Sequence, residues 1–238
     1  MNKLLILAIV ITFTALTFPQ QQKKYFDAPF GGGIGYVPAW YIPNLDPVNF
    51  ELKSIGMPEL STSGFYSSGG AGFIYLGFIK FLRIGGMGYG GSVSSTQNNK
   101  EVIYSLGGGG ITIEYTLPII KDIALSVGAI IGAGTLKIQL YRNSEDFTWQ
   151  GTWDEFDSGE STSFSRTLEN SYWMFTPTVN LDFPFNRFIL VRLGVGYQLA
   201  FNDDWTADNE QELKNVPSDL NANSFFVQSG LFIGFFSF

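Results

Sequence analysis

The chain contains no cysteine and no histidine among its 238 residues. Without cysteine there is no disulfide framework, no thiolate metal site and no lipid-modified N-terminal cysteine. Without histidine the commonest general base and the commonest metal ligand are both missing. Charge is sparse too. Asp, Glu, Lys and Arg make up 15% of the residues, against about 25% in an average soluble domain. Acid outweighs base, 21 to 14, for a net charge of −7. No basic face is available for a phosphate backbone, so no nucleic-acid partner is expected. Beyond the N-terminal segment no stretch reaches the roughly eighteen apolar residues of a spanning helix. No α-helical membrane span is therefore expected in the mature chain.

Aromatic residues, at 16%, and 28 glycines are what the chain has in plenty. Its first residues, Met1-Asn2-Lys3, are followed by the apolar run LLILAIVITFTALT over Leu4–Thr17. A short basic start and an apolar run of this length read as a secretory signal. Residues 1–20 are expected to be that signal, cut near Thr17–Gln20, and 21–238 one domain.

Period-two alternation runs through the rest. In 188–201 Ile189, Val191, Leu193, Val195, Tyr197, Leu199 and Phe201 share one face, and Arg192, Gly194, Gly196, Gln198 and Ala200 the other. In 172–183 Trp173, Phe175, Val179, Leu181 and Phe183 oppose Thr176, Thr178, Asn180 and Asp182, with Pro177 a missing donor on the apolar side. Two segments change phase. In 123–140 the apolar set passes from Leu125, Val127, Ala129 and Ile131 to Leu136, Ile138 and Leu140. In 102–116 the change falls at Gly107–Gly110. A bulge at glycine is the expected cause of both. Further strands are expected near 29–37, 67–78, 81–93 and 223–238. Tight connections near Ile79-Lys80, 118–122 and 184–187 alternate with long ones at 38–66, 94–101, 141–171 and 202–222. Short turns on one side and long polar loops on the other are the plan of an outer-membrane barrel. The expected fold is all-β: an eight-stranded antiparallel up-and-down transmembrane β-barrel, with a short helix in the first long loop.

The chain ends LFIGFFSF. A terminal Phe with aromatics alternating upstream resembles the C-terminal signature of bacterial outer-membrane β-barrels. From about residue 25 to 238 the pattern resembles the eight-stranded barrels of the outer membrane protein A type, without a periplasmic domain. The resemblance implies export to the outer membrane of a Gram-negative-type bacterium and lipid around the barrel. It also implies that Phe232, Phe236 and Phe238 serve as the signal read by the barrel-assembly machinery. These three are expected to face lipid, leaving Leu231, Ile233 and Phe235 as an apolar lumen face.

Four charges fall at inward positions of similar depth: Arg83, Glu114, Asp182 and Arg192. The interior of an eight-stranded barrel is just filled by side chains, and opposite charges buried there must pair. An internal ion-pair cluster is expected. In the first long loop Asp46-Pro47 and Gly56 bracket a short helix as N-cap, N1 and C′. Val48, Leu52 and Ile55 form its apolar stripe, to pack as a lid on the mouth or dip into the lumen. The glycine pairs relieve strand curvature or clear room in the lumen, and no GK[ST] follows any of them. Loops 143–170 and 202–222 mix aromatics with acids, including Trp149, Trp153, Phe156, Asp154, Glu155, Asp157 and Glu160, and Asp203, Asp204, Asp208, Glu210, Glu212 and Asp219. They lack EF-hand spacing.

The barrel enzymes that the resemblance brings in rely on a catalytic His, so no enzyme and no cofactor is expected. Eight strands leave no useful aqueous channel. The expected role is structural or interactive, with long acidic, aromatic loops presented outside the cell. A small apolar-ligand-binding or transport barrel with a first-loop plug is the alternative.

Overall fold

Alternating apolar and small or polar residues close into a ring of antiparallel strands. The computed structural model describes residues 30–117, 123–143, 148–158, 163–202 and 204–237. In chain order these form β1 (Phe30–Tyr36), β2 (Ala39–Pro43), α1 (Asp46–Ser54), β3 (Phe65–Tyr75), β4 (Leu82–Gln97) and β5 (Lys100–Leu117). There follow β6 (Ala124–Arg142), α2 (Trp149–Ser158), β7 (Phe164–Pro184), β8 (Ile189–Phe201), β9 (Thr206–Ala207), β10 (Gln211–Glu212) and β11 (Ser224–Ser237). The expected signal at 1–20 and the expected turn at 118–122 lie outside the described residues.

β1 and β2 are one strand interrupted at Val37-Pro38, where proline has no N–H for the ladder. Both halves keep a single register with β11, from Phe30↔Ser237 to Pro43↔Ser224. Both also pair with β3. Consecutive hairpins run from β3 to β8, and β8 pairs with β11, so the ring has eight members and closes on its first strand. Pro177 leaves its mark as anticipated. The β7–β8 ladder lapses between Phe175↔Leu199 and Thr178↔Gly196.

Two expected loops are largely strand. β4 and β5 pair continuously to Gln97↔Lys100, leaving a two-residue turn at Asn98-Asn99 in place of a loop over 94–101. Asn98 takes a φ of 54°, a left-handed conformation that asparagine tolerates. β6 and β7 likewise pair up to Arg142↔Phe164, deep into the expected loop over 141–171.

The two expected bulges are absent. β5 pairs with β6 in unbroken register from Lys100↔Arg142 to Leu117↔Leu125, through both glycine runs. The strand does not switch faces; its surroundings change. On β6 the outward residues Leu125, Val127, Ala129 and Ile131 give way to Thr135, Lys137 and Gln139, while Leu136 and Ile138 are buried inside. On β5 outward Ile111, Ile113 and Tyr115 give way to Ser105 and Glu101, with Tyr104 and Leu106 buried inside. β7 repeats the pattern at outward Trp173 and Ser171. Cross-strand pairing aligns these borders: Ile111↔Ile131↔Phe175 is apolar, Ser105↔Lys137↔Glu169 is polar. Lys137 and Glu169 there form an outward ion pair at 3.0 Å. Below the border the barrel is solvated by hydrocarbon; above it the outside is wet and the apolar side chains turn in.

From Phe183 to Trp173 the outward face of β7 is apolar over ten steps. At about 3.3 Å per residue and a tilt near 40°, that rises roughly 25 Å, the height of an outer-membrane apolar band. The nine steps from Trp173 to Phe164 carry β7 a further ~20 Å above it. Short turns, such as that between β7 and β8, lie at the lower end, and α1 and α2 at the upper end.

Candidate functional site

Arg83, Glu114, Asp182 and Arg192 lie on β4, β5, β7 and β8, and all four point into the lumen. Pairing places Arg83 opposite Glu114 and Asp182 opposite Arg192. Arg83 is fully buried. Its Nε donates to Glu114 Oε2, its Nη1 to Asp182 Oδ2 and its Nη2 to Ser126 Oγ. Arg192 grips Asp182 with two bonds, Nε to Oδ1 at 2.7 Å and Nη2 to Oδ2 at 3.0 Å. Its Nη1 lies 3.4 Å from Glu114 Oε1. The quartet is neutral, and each charge touches both opposite charges. Such an arrangement meets the condition for burying ions, which is good geometry with the remaining lone pairs satisfied.

Its supporting residues are less evident from sequence. Asn180 Nδ2 donates to Glu114 Oε1 at 2.8 Å, and Gln228 Nε2 donates to Asn180 Oδ1 at 2.8 Å. The signal available was parity: Asn180 shares its face with Asp182. Gly194 gives them space, because a Cβ there would stand 2.0 Å from Asn180 Oδ1. Of the two readings of glycine, room in the lumen applies at this position.

The faces of the last strand are the reverse of those expected. Phe232 and Phe236 are 0% and 3% exposed and point inward, while Leu231, Ile233 and Phe235 point out at 52%, 65% and 46%. The reason lies in the quartet. The Arg192 guanidinium sits 4.8 Å from the Phe232 ring centroid, and Arg83 and Arg192 lie 4.6 and 5.1 Å from that of Phe73. Cation–π contact favours aromatic faces beside desolvated guanidinium groups. Phe73, Tyr75, Leu190, Phe232 and Phe236 pack together in this part of the lumen. From Leu231 to Phe236 both faces of β11 are apolar or glycine; the signal that marks the lumen side is Gln228, which shares its face with Phe232. Phe238 lies outside the described residues.

At the upper end α1 covers the mouth. Val48 and Leu52 are buried against Leu45, Met57, Leu60, Tyr104 and Trp205. Ile55, the third residue of the expected stripe, follows the helix as its C-cap and is 54% exposed. The start is also displaced by one residue. Leu45 is the N-cap, Asp46 opens the helix, and the Asp46 amide is held by Asn44 Oδ1 at 3.1 Å. Gly56 follows with a φ of 72°, the left-handed C′ conformation. Asn49 anchors the lid: its side chain donates to Leu60 O at 3.0 Å and accepts the Leu60 amide at 2.7 Å. Between lid and quartet, Tyr41 stacks on Tyr89 and Phe226, each at 4.9 Å. Gln198 accepts from Tyr89 and donates to Tyr172.

The expected acidic loops are partly described; Glu160 and Asp203 lie outside the described residues. α2 carries Trp149, Trp153 and Phe156 exposed on one side, with centroids 5.8 and 6.5 Å apart in sequence. Among the described residues no His, Cys, Asp or Glu side chains gather in threes as a metal site. Asp208 docks its loop on the β7 edge, accepting the Thr167 amide at 2.9 Å and Arg166 Nη1 at 2.5 Å. The Thr167 amide, with Arg166 assisting, holds its carboxyl below the ordinary value. A depressed folded pKa contributes stability above the unfolded value, about 3.9, which is lost as pH falls through the lower folded one. The Thr167 amide resonance is therefore expected to hold its position from neutral pH to about 4 and shift only in stronger acid. In Asp208→Asn that acid shift is absent.

No protein-family model matches the chain, and no curated protein matches it in sequence. Solved structures do. A major outer membrane protein from Thermus thermophilus superposes with a TM-score of 0.54 at 6% identity, over 87% of this chain and 99% of that one. Ail, the attachment invasion locus protein of Yersinia pestis, gives 0.40 at 12% identity, over 88% and 100%. OprG from Pseudomonas aeruginosa gives 0.40 at 15% identity, over 88% and 94%. Identities this low speak to fold and not to activity. With its closed eight-membered ring, apolar outer band and wet upper rim, this chain is an eight-stranded β-barrel of the outer-membrane type.

Proposed function

We propose that the chain is a non-enzymatic barrel of the outer membrane that presents its loop end to partners outside the cell. One observation carries this reading: buried side chains pack the lumen from the Phe232 cluster up to α1, while the upper wall rises well clear of the membrane. The Phe232 cluster and the ionic quartet fill the lower lumen, and α1 with Trp205 covers the mouth. A filled cylinder supports anchoring over diffusion. Above the membrane β4 to β7 form a tall wall, with α2 and its exposed aromatics between β6 and β7. Phe232, Phe236 and Phe238 remain proposed as the assembly signal, read before folding turns Phe232 and Phe236 inward.

The chain has no native thiol, so cysteine labelling tests the orientation cleanly. Trp153→Cys is expected to react with a membrane-impermeant maleimide on intact cells, and Asn186→Cys, in the lower turn, only after the membrane is permeabilised. Purified barrel in a planar bilayer is expected to give no stable openings. Labelling of Asn186→Cys on intact cells, or porin-sized conductance, rejects the reading. Carriage of a small apolar ligand requires α1 to leave the mouth. A lipid retained in native mass spectrometry would favour that second reading.

A further inference from the structure

We infer that the lumen binds one structural water beside the quartet, held by Thr178 and Gln228. A cavity of about 10 Å³ lies there, bordered by Thr178, Gln228, Glu114, Arg192, Met87 and Ile130. That is about the space one water molecule needs. Thr178 Oγ1 and Gln228 Oε1 are both buried and find no hydrogen-bond partner among the described residues. Thr178 is 5% exposed and Gln228 4%. Buried oxygens of this kind are nearly always satisfied.

The quartet fixes which chemistry the cavity accepts. Glu114 Oε1, as a carboxylate, can only accept, so Asn180 must offer it the amide nitrogen and turn its oxygen to Gln228. Gln228 must then offer its own nitrogen to Asn180. Its oxygen is left at the cavity and can only accept. The occupant must therefore donate there, fit in the space of a single heavy atom, and take or give one bond at the Thr178 hydroxyl. An anion is excluded by the acceptors, and the neutral quartet leaves no charge for a cation to balance. Water fits each condition. It donates to Gln228 Oε1, pairs with Thr178, and extends the polar layer above the ions.

Thr178→Val tests this, because it keeps the shape and removes the hydroxyl. With water bound, valine strips one of its partners, and the thermal midpoint is expected to fall by about 2–4 °C. In a dry cavity the same change deletes an unpaired buried hydroxyl, and the midpoint rises. A high-resolution crystal structure of the unaltered barrel provides the second readout. A peak within hydrogen-bonding distance of both Gln228 Oε1 and Thr178 Oγ1 is expected. No peak there, or a raised midpoint in Thr178→Val, overturns the inference.

Discussion

Arg83→Met is expected to lower the unfolding free energy of the barrel by about 3–5 kcal/mol, the cost of breaking a buried ion pair from one side. Arg83 contacts both carboxylates and Ser126, and none of its side chain reaches solvent. Methionine fills much of the same volume, so the loss comes mainly from charge. Two acids then share one arginine in a site closed off from bulk solvent. The double variant Arg83→Met, Glu114→Gln restores neutrality and leaves the two-bond Arg192–Asp182 pair intact. It is expected to recover most of the loss. Non-additivity of that kind identifies groups acting as one network. Equilibrium unfolding in urea with lipid vesicles reads both variants. Glu114→Gln alone completes the cycle; a double variant whose loss equals the sum of the two single losses would show that the charges are not coupled.

Ile131→Arg is expected to cost about 2–4 kcal/mol, the penalty for arginine on the lipid face near mid-depth. Ile131 points outward on β6 and is 52% exposed, opposite Ile111 and Phe175. Gln139→Arg, on the same face of the same strand but above the border, is expected to change stability by less than about 0.5 kcal/mol. The comparison tests the border itself. Equal effects at both positions would mean that hydrocarbon does not end between Ile131 and Thr135.

How much of this was legible in the sequence depended on what each strand touches. β8 was read correctly because its outer face meets lipid along its length while its inner face carries Arg192, Gly194, Gly196 and Gln198. The same parity brought Arg83, Glu114, Asp182 and Arg192 to the interior. β5 and β6 misled because they cross from hydrocarbon into water, so the apolar face changes sides while the backbone continues unaltered. A bulge and a change of solvent leave the same trace in a single sequence. Register with the neighbouring strand separates them, and that is a tertiary fact. β11 misled for another reason. From Leu231 to Phe236 both its faces are apolar or glycine, and there Phe232 turns inward beside the Arg192 guanidinium supplied by β8. In α1 the N-cap falls on Leu45, one residue before the expected Asp46, whose amide is held by Asn44, a shift within the usual uncertainty of helix ends.

The inward turn of Tyr104, Leu106, Leu136 and Ile138 above Trp173 means that this protein is built under two solvents. Its upper part is assembled like an ordinary water-bathed domain, with a greasy middle and a hydrophilic coat. Only the lower cylinder depends on its amphiphile. A detergent chosen badly for thickness would therefore strain the ring near the turns first, while the upper part kept its shape.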